Sequence, residues 1–448
     1  VGMSRFMRRF MTQEMNLEKE DMYQIDGPLD MTVFFGFCGI KGYNHLRYPE
    51  AHPHSPWSML ELKRTPETNI FDMIREKDLL IHLPYESFDE SVVNFLYSAA
   101  NDKDVLAIKQ TLYRVSSSSP VVQALEKAVQ NGKQVTVLME VKARFDEANN
   151  ILMARRLEKA GAHVIYGLVG LKTHSKCTLV IRREKDGIRR YVHVATGNYN
   201  ASTAKLYTDL GILTCNDRFG IDASAFFNLL SGYSDPPIWD SFIVAPINLR
   251  QRCIELIDRE IHFAKNGEDA HMIAKMNSLL DKGIIEKLYE ASQAGVKIEL
   301  IVRGICVLIP GIPGVSDNIT VRSIVGRFLE HSRIFWFRNG GREELYISSA
   351  DWMPRNLNDR VELMVPIEDP EIKRRLKQMV DIELSDNQKA HIMQADGTWL
   401  KTISAENQLC AQEYFQKIAE KRDAEDEMTL AQKLEPYTPV LGHGDGSD

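Results

Sequence analysis

Two histidines, each followed two positions later by a cation, are the residues of this sequence best suited to chemistry. His174 lies between Lys172 and Lys176 and opens an apolar run, and His331 precedes Arg333 and opens a similar run about one domain length later. A neutral imidazole is nucleophilic near neutral pH because its unperturbed pKa is about 6.5, and neighbouring cations favour the neutral form. One such histidine is more often structural, but the repeated pattern predicts a paired-histidine centre for phosphoryl transfer.

Four arginines that follow predicted strands are candidates for binding phosphate oxygens. They are Arg114, Arg144, Arg303 and Arg333. Open α/β folds place ligands at strand ends, and a guanidinium stays charged and can hold two phosphate oxygens at once. Taken singly, each arginine is better explained as a surface ion-pair partner, but the grouping around two histidines favours a phosphate site.

Further roles follow from the same chemistry. We expect His331 to donate a proton to the leaving phosphate or to bind it, since general acid catalysis contributes roughly 10²–10⁴-fold. Tyr207 follows a lysine-containing segment, and a nucleotide base could stack on its ring. The alternative for Tyr207, a half-buried core tyrosine, is equally open. His163 and His193 lie inside predicted strands and are assigned to the core.

Composition limits the class of protein. A chain of 448 residues with 44% hydrophobic and 26% charged residues has room for two or three soluble domains. The net charge of −7 argues against a general nucleic-acid surface, so an anionic substrate needs a local cationic pocket. The six cysteines show no CxxC spacing, which favours reduced thiols. Without a signal peptide or a bilayer-length apolar run, we expect a cytoplasmic location, with peripheral association with the inner membrane left open.

Several familiar phosphoryl-transfer signatures are missing from the sequence. It has no GxxxxGK[ST] loop, no GxGxxG after a strand and no kinase HRD or DFG set. No carboxylate cluster has convincing metal-ligand spacing. We therefore expect any Mg²⁺ to arrive with a nucleotide and to be held mostly by phosphate oxygens and water.

Alternating strands and amphipathic helices begin near Asn69 and predict a parallel or mixed sheet covered by helices. The second half repeats this plan. If Gly132 is aligned with Gly295, two helix–glycine–strand segments superimpose without a gap, and Lys109 and Lys275 occupy similar strand ends. The main predicted strands span residues 105–108, 134–139, 163–166, 191–195, 271–277, 297–302 and 344–351, and the main predicted helices span residues 121–129 and 284–294.

An internal duplication implies two like domains with a site between them. The predicted division is an N-terminal remnant and linker (1–60), a first domain (61–241), a second domain (242–428) and a disordered tail (429–448). After about Asn387 the chain is polar, and a helix is expected from Ser404 to Met428. Because the chain begins at Val1 inside helical sequence, we expect it to be part of something longer.

The chain resembles the type-one bacterial polyphosphate kinases from residue 12 to about residue 402. The resemblance is carried by the segments YQIDGPLD, HLPYESF, IKQTLYR, VKARFDE, GLKTHSKCTLV, ATGNYN, LYTDLG, KMNSL, VRGIC, SIVGRFLEHSRIF and SSADWMPRNL. The two His-x-basic strands also look like a degenerate phospholipase D arrangement, the superfamily to which that kinase family is assigned. No Asp follows His174 at the usual offset, and Arg333 stands where Lys is typical, so the departures weigh against lipid hydrolysis.

The resemblance implies an α/β fold of two phospholipase D-like domains related by internal duplication. Each would be a mixed sheet flanked by helices, preceded by the end of a helical head domain. It also implies ATP-dependent, reversible extension of polyphosphate through a phosphohistidine. His174 matches the phosphorylated histidine, and the ATP-contacting positions are matched by Tyr207, Arg303 and His331.

Two further positions carry over from the resemblance. Arg114 and Arg144 match positions assigned to magnesium. Because a guanidinium cannot ligate a cation, we expect these arginines to hold the phosphate that carries Mg²⁺. The implied partners are ATP or ADP and inorganic polyphosphate, with no nucleic acid, and a homo-oligomer is expected for the full-length protein. The alternatives are a phospholipase D-type phosphodiesterase and an inactive polyphosphate-binding fragment.

Overall fold

The computed structural model describes residues 2–60, 68–116, 118–141, 147–232 and 238–434, with side chains omitted at 423 and 425–434. The chain forms two compact units, Val1–Ala51 and His52–Asp448. Arg144 lies outside the described residues. The last 14 residues of the predicted tail, 435–448, lie outside them too.

The smaller unit contains the predicted N-terminal helix, α1 (Arg5–Glu14). Its start is capped by Ser4, whose hydroxyl accepts the backbone N–H of Met7 at 3.2 Å. Short 3₁₀ turns follow at Lys19–Asp21, Thr32–Gly39 and Asn44–Leu46, and none of these elements has a buried residue.

The first half of the larger unit alternates strands and helices as the sequence predicts. Ser119 caps the helix that begins at Pro120 by accepting the backbone N–H of Val122 at 3.4 Å. Gly132, with φ of 78°, supplies the left-handed turn after that helix. The elements are α2 (Ile70–Glu76), β1 (Leu79–Leu83), α3 (Asn94–Asn101), β2 (Val105–Leu112), α4 (Pro120–Gln130), β3 (Gln134–Met139), α5 (Glu147–Ala160), β4 (His163–Tyr166), β5 (Lys172–Thr173), β6 (Lys176–Glu184), β7 (Gly187–Ala195), β8 (Tyr207–Thr214) and α6 (Asp217–Leu230).

The second half repeats this order and adds a C-terminal extension. Its elements are β9 (Ile243–Ala245), α7 (Leu249–Lys265), β10 (His271–Met276), α8 (Lys282–Gln293), β11 (Lys297–Val302), β12 (Ile319–Ile324), β13 (Leu329–Glu330), β14 (Ile334–Phe337), β15 (Glu344–Ser348), α9 (Pro354–Asn358), β16 (Arg360–Pro366), α10 (Pro370–Leu384), β17 (Ala390–Met393), β18 (Trp399–Lys401) and α11 (Ala411–Leu434).

The C-terminal extension differs from the sequence prediction. The polar stretch after Asn387 contains two short strands, β17 and β18, and the helix expected from Ser404 begins at Ala411. β18 is the strand at the edge of the second sheet, and β17 lies between β18 and β12. An edge strand can be short and polar because one side of it faces solvent, so it lacks the apolar run that reveals a central strand.

Each half is built on the same seven-stranded mixed sheet. The strand order is β4-β3-β2-β6-β7-β8-β1 in the first half and β12-β11-β10-β14-β15-β16-β9 in the second. In both sheets the first three strands are parallel and the remaining pairings are antiparallel. The predicted α/β fold with an internal duplication is therefore confirmed.

The strand register corrects one detail of the predicted alignment. Thr111 on β2 lies opposite Leu138, and Lys275 on β10 lies opposite Ile301, the residue equivalent to Leu138. Lys275 thus corresponds to Thr111, and the predicted equivalence with Lys109 is wrong by two residues. Lys109 is more exposed than Lys275, and its ammonium lies 3.5 Å from the side-chain oxygen of Asn228.

Two short strands join the halves. β5, which precedes His174, pairs in parallel with β16 of the second half, and β13, which precedes His331, pairs in parallel with β8 of the first half. In each half, the short strand just before the histidine therefore pairs with a strand in the sheet of the other half.

The other two histidines predicted to lie on strands differ in burial. His193 is buried on β7, as predicted, with 2% of its surface exposed. His163 is exposed, so its assignment to the core is wrong. The reason is that β4 is the last strand of its sheet, where one edge has no neighbouring strand.

Candidate active site

A cavity of about 800 Å³ lies between the two halves of the larger unit. Its walls include six of the residues singled out in the sequence, namely Arg114, His174, Tyr207, Arg303, His331 and Arg333. The structure thus brings both histidines and three of the four arginines to one place. Arg144, the remaining candidate, lies outside the described residues.

His174 is held by the second half of the unit. Its backbone N–H and that of Ser175 both donate to the carbonyl oxygen of Val361 at 2.9 Å. Its Nδ1 lies 2.9 Å from both carboxylate oxygens of Glu362 on β16. Within the described residues, Nε2 of His174 makes no hydrogen bond. The ring therefore has one nitrogen fixed and the other available to a ligand.

Electrostatics keep His174 neutral. Burial lowers its pKa well below the usual value, and the charges of Lys176, Arg360 and Arg333 lower it further. In the neutral ring the hydrogen bond to Glu362 places the proton on Nδ1, which leaves a lone pair on Nε2. This is the protonation state that a nucleophilic histidine requires.

Glu362 is itself held by hydrogen bonds. The hydroxyl of Ser349 and the side-chain amide of Asn356 both donate to its carboxylate, the amide at 2.6 Å. Burial raises the pKa of this carboxyl, while Lys176 and the Ser349 hydroxyl act in the opposite direction. Its orientation is therefore fixed before any substrate binds.

His331 has the equivalent arrangement from the other side. Its Nδ1 lies 2.8 and 3.0 Å from the two carboxylate oxygens of Asp209 on β8, and Thr196 donates its hydroxyl to Asp209 at 2.6 Å. Burial alone would raise the pKa of Asp209, but His331, the Thr196 hydroxyl and Arg333 together lower it. In contrast to His174, Nε2 of His331 accepts a hydrogen bond from Arg333 at 3.2 Å.

The two carboxylates are functional residues that the sequence analysis missed. Each histidine is oriented by a carboxylate from the opposite half, so the pairs are far apart in sequence. One signal was available, because Asp209 and Glu362 are acidic residues inside apolar strands. Acidic residues are almost never fully buried unless they are paired.

Two cations beside the histidines are deeply buried. Lys176 donates to the backbone carbonyl of His174, and burial lowers its pKa to about 7. Arg333 is 3% exposed and binds Asp351 through two hydrogen bonds of 3.1 and 3.2 Å. Burial would raise the pKa of Asp351, but Arg333, the backbone N–H of Asn277 and His331 together lower it to about 2. The guanidinium is thus oriented by a fixed negative charge.

The other cavity residues supply charge and an aromatic face. The guanidinium of Arg303 donates to the side-chain oxygen of Asn277 at 2.6 Å. The ring of Tyr207 lies 5.2 Å from that of His331. Lys172, Arg355 and Arg360 add further positive charge to the walls, and the last two were not predicted. Such a cavity suits a polyanion that also carries an aromatic ring.

The described residues were searched for side-chain groups that could hold a metal ion. Across residues 2–434, apart from the gaps in the described ranges, no three His, Cys, Asp or Glu side chains are grouped to hold a metal ion. Of the cavity's carboxylates, Asp351 is paired with Arg333. The cavity residue Arg114 cannot ligate a cation, because a guanidinium has no acceptor atom. These residues fit a cation that enters bound to phosphate oxygens and water.

Family models match most of the larger unit. The model described as polyphosphate kinase C-terminal domain 1 matches residues 69–236, and that described as C-terminal domain 2 matches residues 242–412. The chain belongs to the polyphosphate kinase family. The predicted resemblance is therefore confirmed, and the boundary between the two matched family domains falls between the two sheets.

Individual polyphosphate kinases are also similar. That of Halalkalibacterium halodurans is 56% identical over 378 residues, which cover 84% of this chain and 53% of that protein. That of Thermosynechococcus vestitus is 49% identical over 418 residues, which cover 89% of this chain and 57% of that protein. The chain thus spans about half the length of the curated relatives it matches.

A solved polyphosphate kinase has the same fold. The crystal structure of the enzyme from Porphyromonas gingivalis superimposes with a TM-score of 0.82 at 35% sequence identity, covering 94% of this chain and 64% of that chain. None of the helices in the described ranges is both long and apolar enough to cross a membrane.

Proposed function

We propose that this chain transfers the γ-phosphate of ATP reversibly to the end of an inorganic polyphosphate chain through a phosphohistidine on His174. The observation that carries the proposal is the available Nε2 of a neutral His174, which faces a cation-lined cavity while Glu362 holds Nδ1. Membership of the polyphosphate kinase family supports the choice of substrates.

In the first step, the Nε2 lone pair of His174 forms a bond to the γ-phosphorus as the bond to the β–γ bridging oxygen breaks. ADP leaves with that oxygen. Phosphorylation at Nε2 puts positive charge on the ring, and the carboxylate of Glu362 stabilises it through the Nδ1 proton. In the second step, a terminal oxygen of polyphosphate attacks the same phosphorus and the phosphorus–nitrogen bond breaks.

The surrounding cations stabilise the transferring group. Charge spreads over the equatorial oxygens of the transferred phosphoryl group, so fixed positive groups lower the barrier. Arg303 and Arg333 are oriented for this by Asn277 and Asp351. His331 binds the leaving phosphate or donates a proton to it. Burial lowers the pKa of His331, and either role requires Nε2 to exchange its hydrogen bond from Arg333 for a proton, which the negative charge of the phosphate favours.

The nucleotide side of the cavity is assigned to Tyr207, Arg303 and His331. The ring of Tyr207 provides a face for the base. Mg²⁺ enters as part of the MgATP substrate, and Arg114, with Arg144, holds the phosphate that carries it. A cytoplasmic location and a homo-oligomeric full-length protein complete the proposal.

The proposal is tested by incubating the chain with MgATP and measuring both polyphosphate and protein-bound phosphate. We expect acid-labile, base-stable phosphate on the protein and growth of polyphosphate, both lost in His174→Gln. His163→Gln serves as the matched control because His163 is exposed on an edge strand. Turnover of bis(4-nitrophenyl) phosphate without nucleotide would favour the phosphodiesterase alternative. Binding of polyphosphate with no label would favour an inactive fragment.

A further inference from the structure

A buried cluster of three charges lies beside His331 and outside the cavity lining. Lys275, Glu330 and Glu383 are 2%, 4% and 3% exposed. The ammonium of Lys275 donates to Glu330 at 2.6 Å and also donates to Glu383. An ion pair that is this deeply buried is costly to desolvate, so its presence calls for an explanation other than stability.

Glu330 is the centre of the cluster. Besides Lys275, its carboxylate accepts the hydroxyl of Thr208 on β8 at 2.8 Å and the side-chain amide of Gln412 on α11 at 2.6 Å. These donors come from the first half, from the second-half sheet and from the C-terminal helix. Glu330 therefore fixes three parts of the larger unit relative to one another.

The residues next to Glu330 are those to which nucleotide binding is assigned. His331 follows it in sequence, and the backbone N–H of His331 donates to the same Thr208 hydroxyl at 3.2 Å. Nε of Arg303 donates to the backbone carbonyl of Glu330 at 3.3 Å. Tyr207 precedes Thr208 and lies opposite Leu329 where β13 pairs with β8.

The first half shows that the fold does not require this cluster. Strand register places Thr111 where the second half has Lys275, and Thr173 where it has Glu330. Leu230 lies 21 residues after the histidine-binding carboxylate of the first half, as Glu383 does in the second. The same sheet and strand crossover are thus formed in the first half with two threonines and a leucine.

We propose that Glu330, held by Lys275, which Glu383 binds in turn, is a positioning residue that fixes Tyr207, Arg303 and His331 in one geometry for the nucleotide. This role rests on the proposed function, because it assigns a task on the nucleotide side of that site. The nucleophile His174 is anchored separately, through β5 and Glu362.

The cluster has one more carboxylate than it has cations. Oε2 of Glu383 is buried without a hydrogen-bond partner among the described residues. Burial raises the pKa of Glu383 to about 7, and Glu330 and Asp386 act in the same direction. With a proton on Glu383 the cluster is neutral, so it can position its neighbours without adding charge to the cavity.

The test converts the cluster into its first-half equivalent. In the triple variant Lys275→Thr/Glu330→Thr/Glu383→Leu we expect the KM for ATP to rise about tenfold, the usual range for coupled contacts. The KM for polyphosphate in the reverse direction should change less than about twofold. Lys275→Met/Glu330→Gln, which keeps side-chain size, is the second variant in case the triple variant folds poorly. Arg259→Met is the matched control, since it removes a two-hydrogen-bond ion pair with Glu344.

The outcomes separate the two proposals. A rise in the KM for ATP alone, with circular dichroism unchanged and no such rise in Arg259→Met, supports the positioning role. A fall in kcat with both KM values unchanged indicates a purely structural cluster and overturns it, as does wild-type behaviour of both variants. A parent chain that neither binds ATP in calorimetric titration nor becomes labelled overturns the proposed function, and the positioning role with it.

Discussion

The two catalytic candidates differ in whether Nε2 of the ring is available. Both histidines present Nδ1 to a carboxylate, Glu362 for His174 and Asp209 for His331. Nε2 of His331 accepts a hydrogen bond from Arg333, while Nε2 of His174 makes none within the described residues. This difference, which the sequence alone does not reveal, favours His174 over His331 as the nucleophile.

The pH dependence of phosphorylation follows from the lowered pKa of His174. Burial and then the nearby cations disfavour the imidazolium, so the ring stays neutral well below pH 6.5. The acid limb of the single-turnover labelling rate should therefore lie well below that pH. Rapid-quench labelling over a pH series measures it. A limb centred near pH 6.5, the range of an unperturbed imidazole, would contradict the assignment.

Glu362→Gln tests the orienting carboxylate. The amide cannot stabilise the positive charge that develops on the His174 ring, although its shape is retained. We expect the labelling rate to fall roughly 10²–10⁴-fold while the fold is preserved. Single-turnover labelling and circular dichroism provide the measurements. Glu286→Gln, on the exposed face of α8, is the control. A loss of less than about threefold would show that Glu362 is dispensable.

At the scale of elements, the reciprocal crossover of β5 and β13 builds the site. Each short strand carries its histidine onto the other half's sheet, next to the carboxylate that orients it. Neither half contains a complete histidine–carboxylate pair. The turn after β7 contributes to the second pair, because Gly197 lies directly against Asp209.

Gly197→Ala tests this turn. A Cβ at Gly197 would lie 2.2 Å from the carboxylate of Asp209, so that side chain must move away from His331. We expect a loss of about 1–3 kcal/mol in the free energy of unfolding and a slower transfer reaction. Urea unfolding and steady-state rates measure the two effects. Gly283→Ala on α8 meets only an ordinary contact of 3.5 Å and is the control. Equal behaviour of the two variants would exclude a role for the close contact.

The bounds of strands were predicted best where an apolar run and a preceding glycine indicated the same strand. The bounds of β3, β4 and β11 match the predicted ranges, since each is an apolar run with a glycine close before it. β18 was missed because an edge strand lacks that run, and β17 because its four residues, Ala390–Met393, are too few to show a period. The Lys109–Lys275 equivalence failed because a two-residue offset preserves strand alternation, so the pattern does not distinguish it.

At the scale of the whole molecule, the duplication explains both the success and the limit of sequence reasoning. It predicted the two sheets and the pairing of the histidines across the halves. It did not predict the carboxylates, because Asp209 and Glu362 reach the histidines only through the crossover. Nor did it reveal the buried cluster around Glu330, the main departure from symmetry at the centre of the unit.

Stability should depend on pH through Glu383. Its pKa is raised by burial from an ordinary 4.5 to about 7, so the folded protein binds the proton more tightly than the unfolded chain does. The stabilisation is complete below about pH 4.5 and is lost as the pH rises through about 7. Glu383→Gln should therefore gain stability relative to wild type over this interval, as measured by urea unfolding at both ends. A difference that is constant with pH would contradict the raised pKa.

The most direct test of the account is to locate the phosphate. The chain is incubated with MgATP labelled at the γ position, quenched in alkali, digested and sequenced by mass spectrometry under conditions that preserve phosphohistidine. We predict label on Nε2 of His174, with none on His331 and none in His174→Gln. Label on His331, or an unlabelled His174 in a chain that binds ATP, would contradict the account.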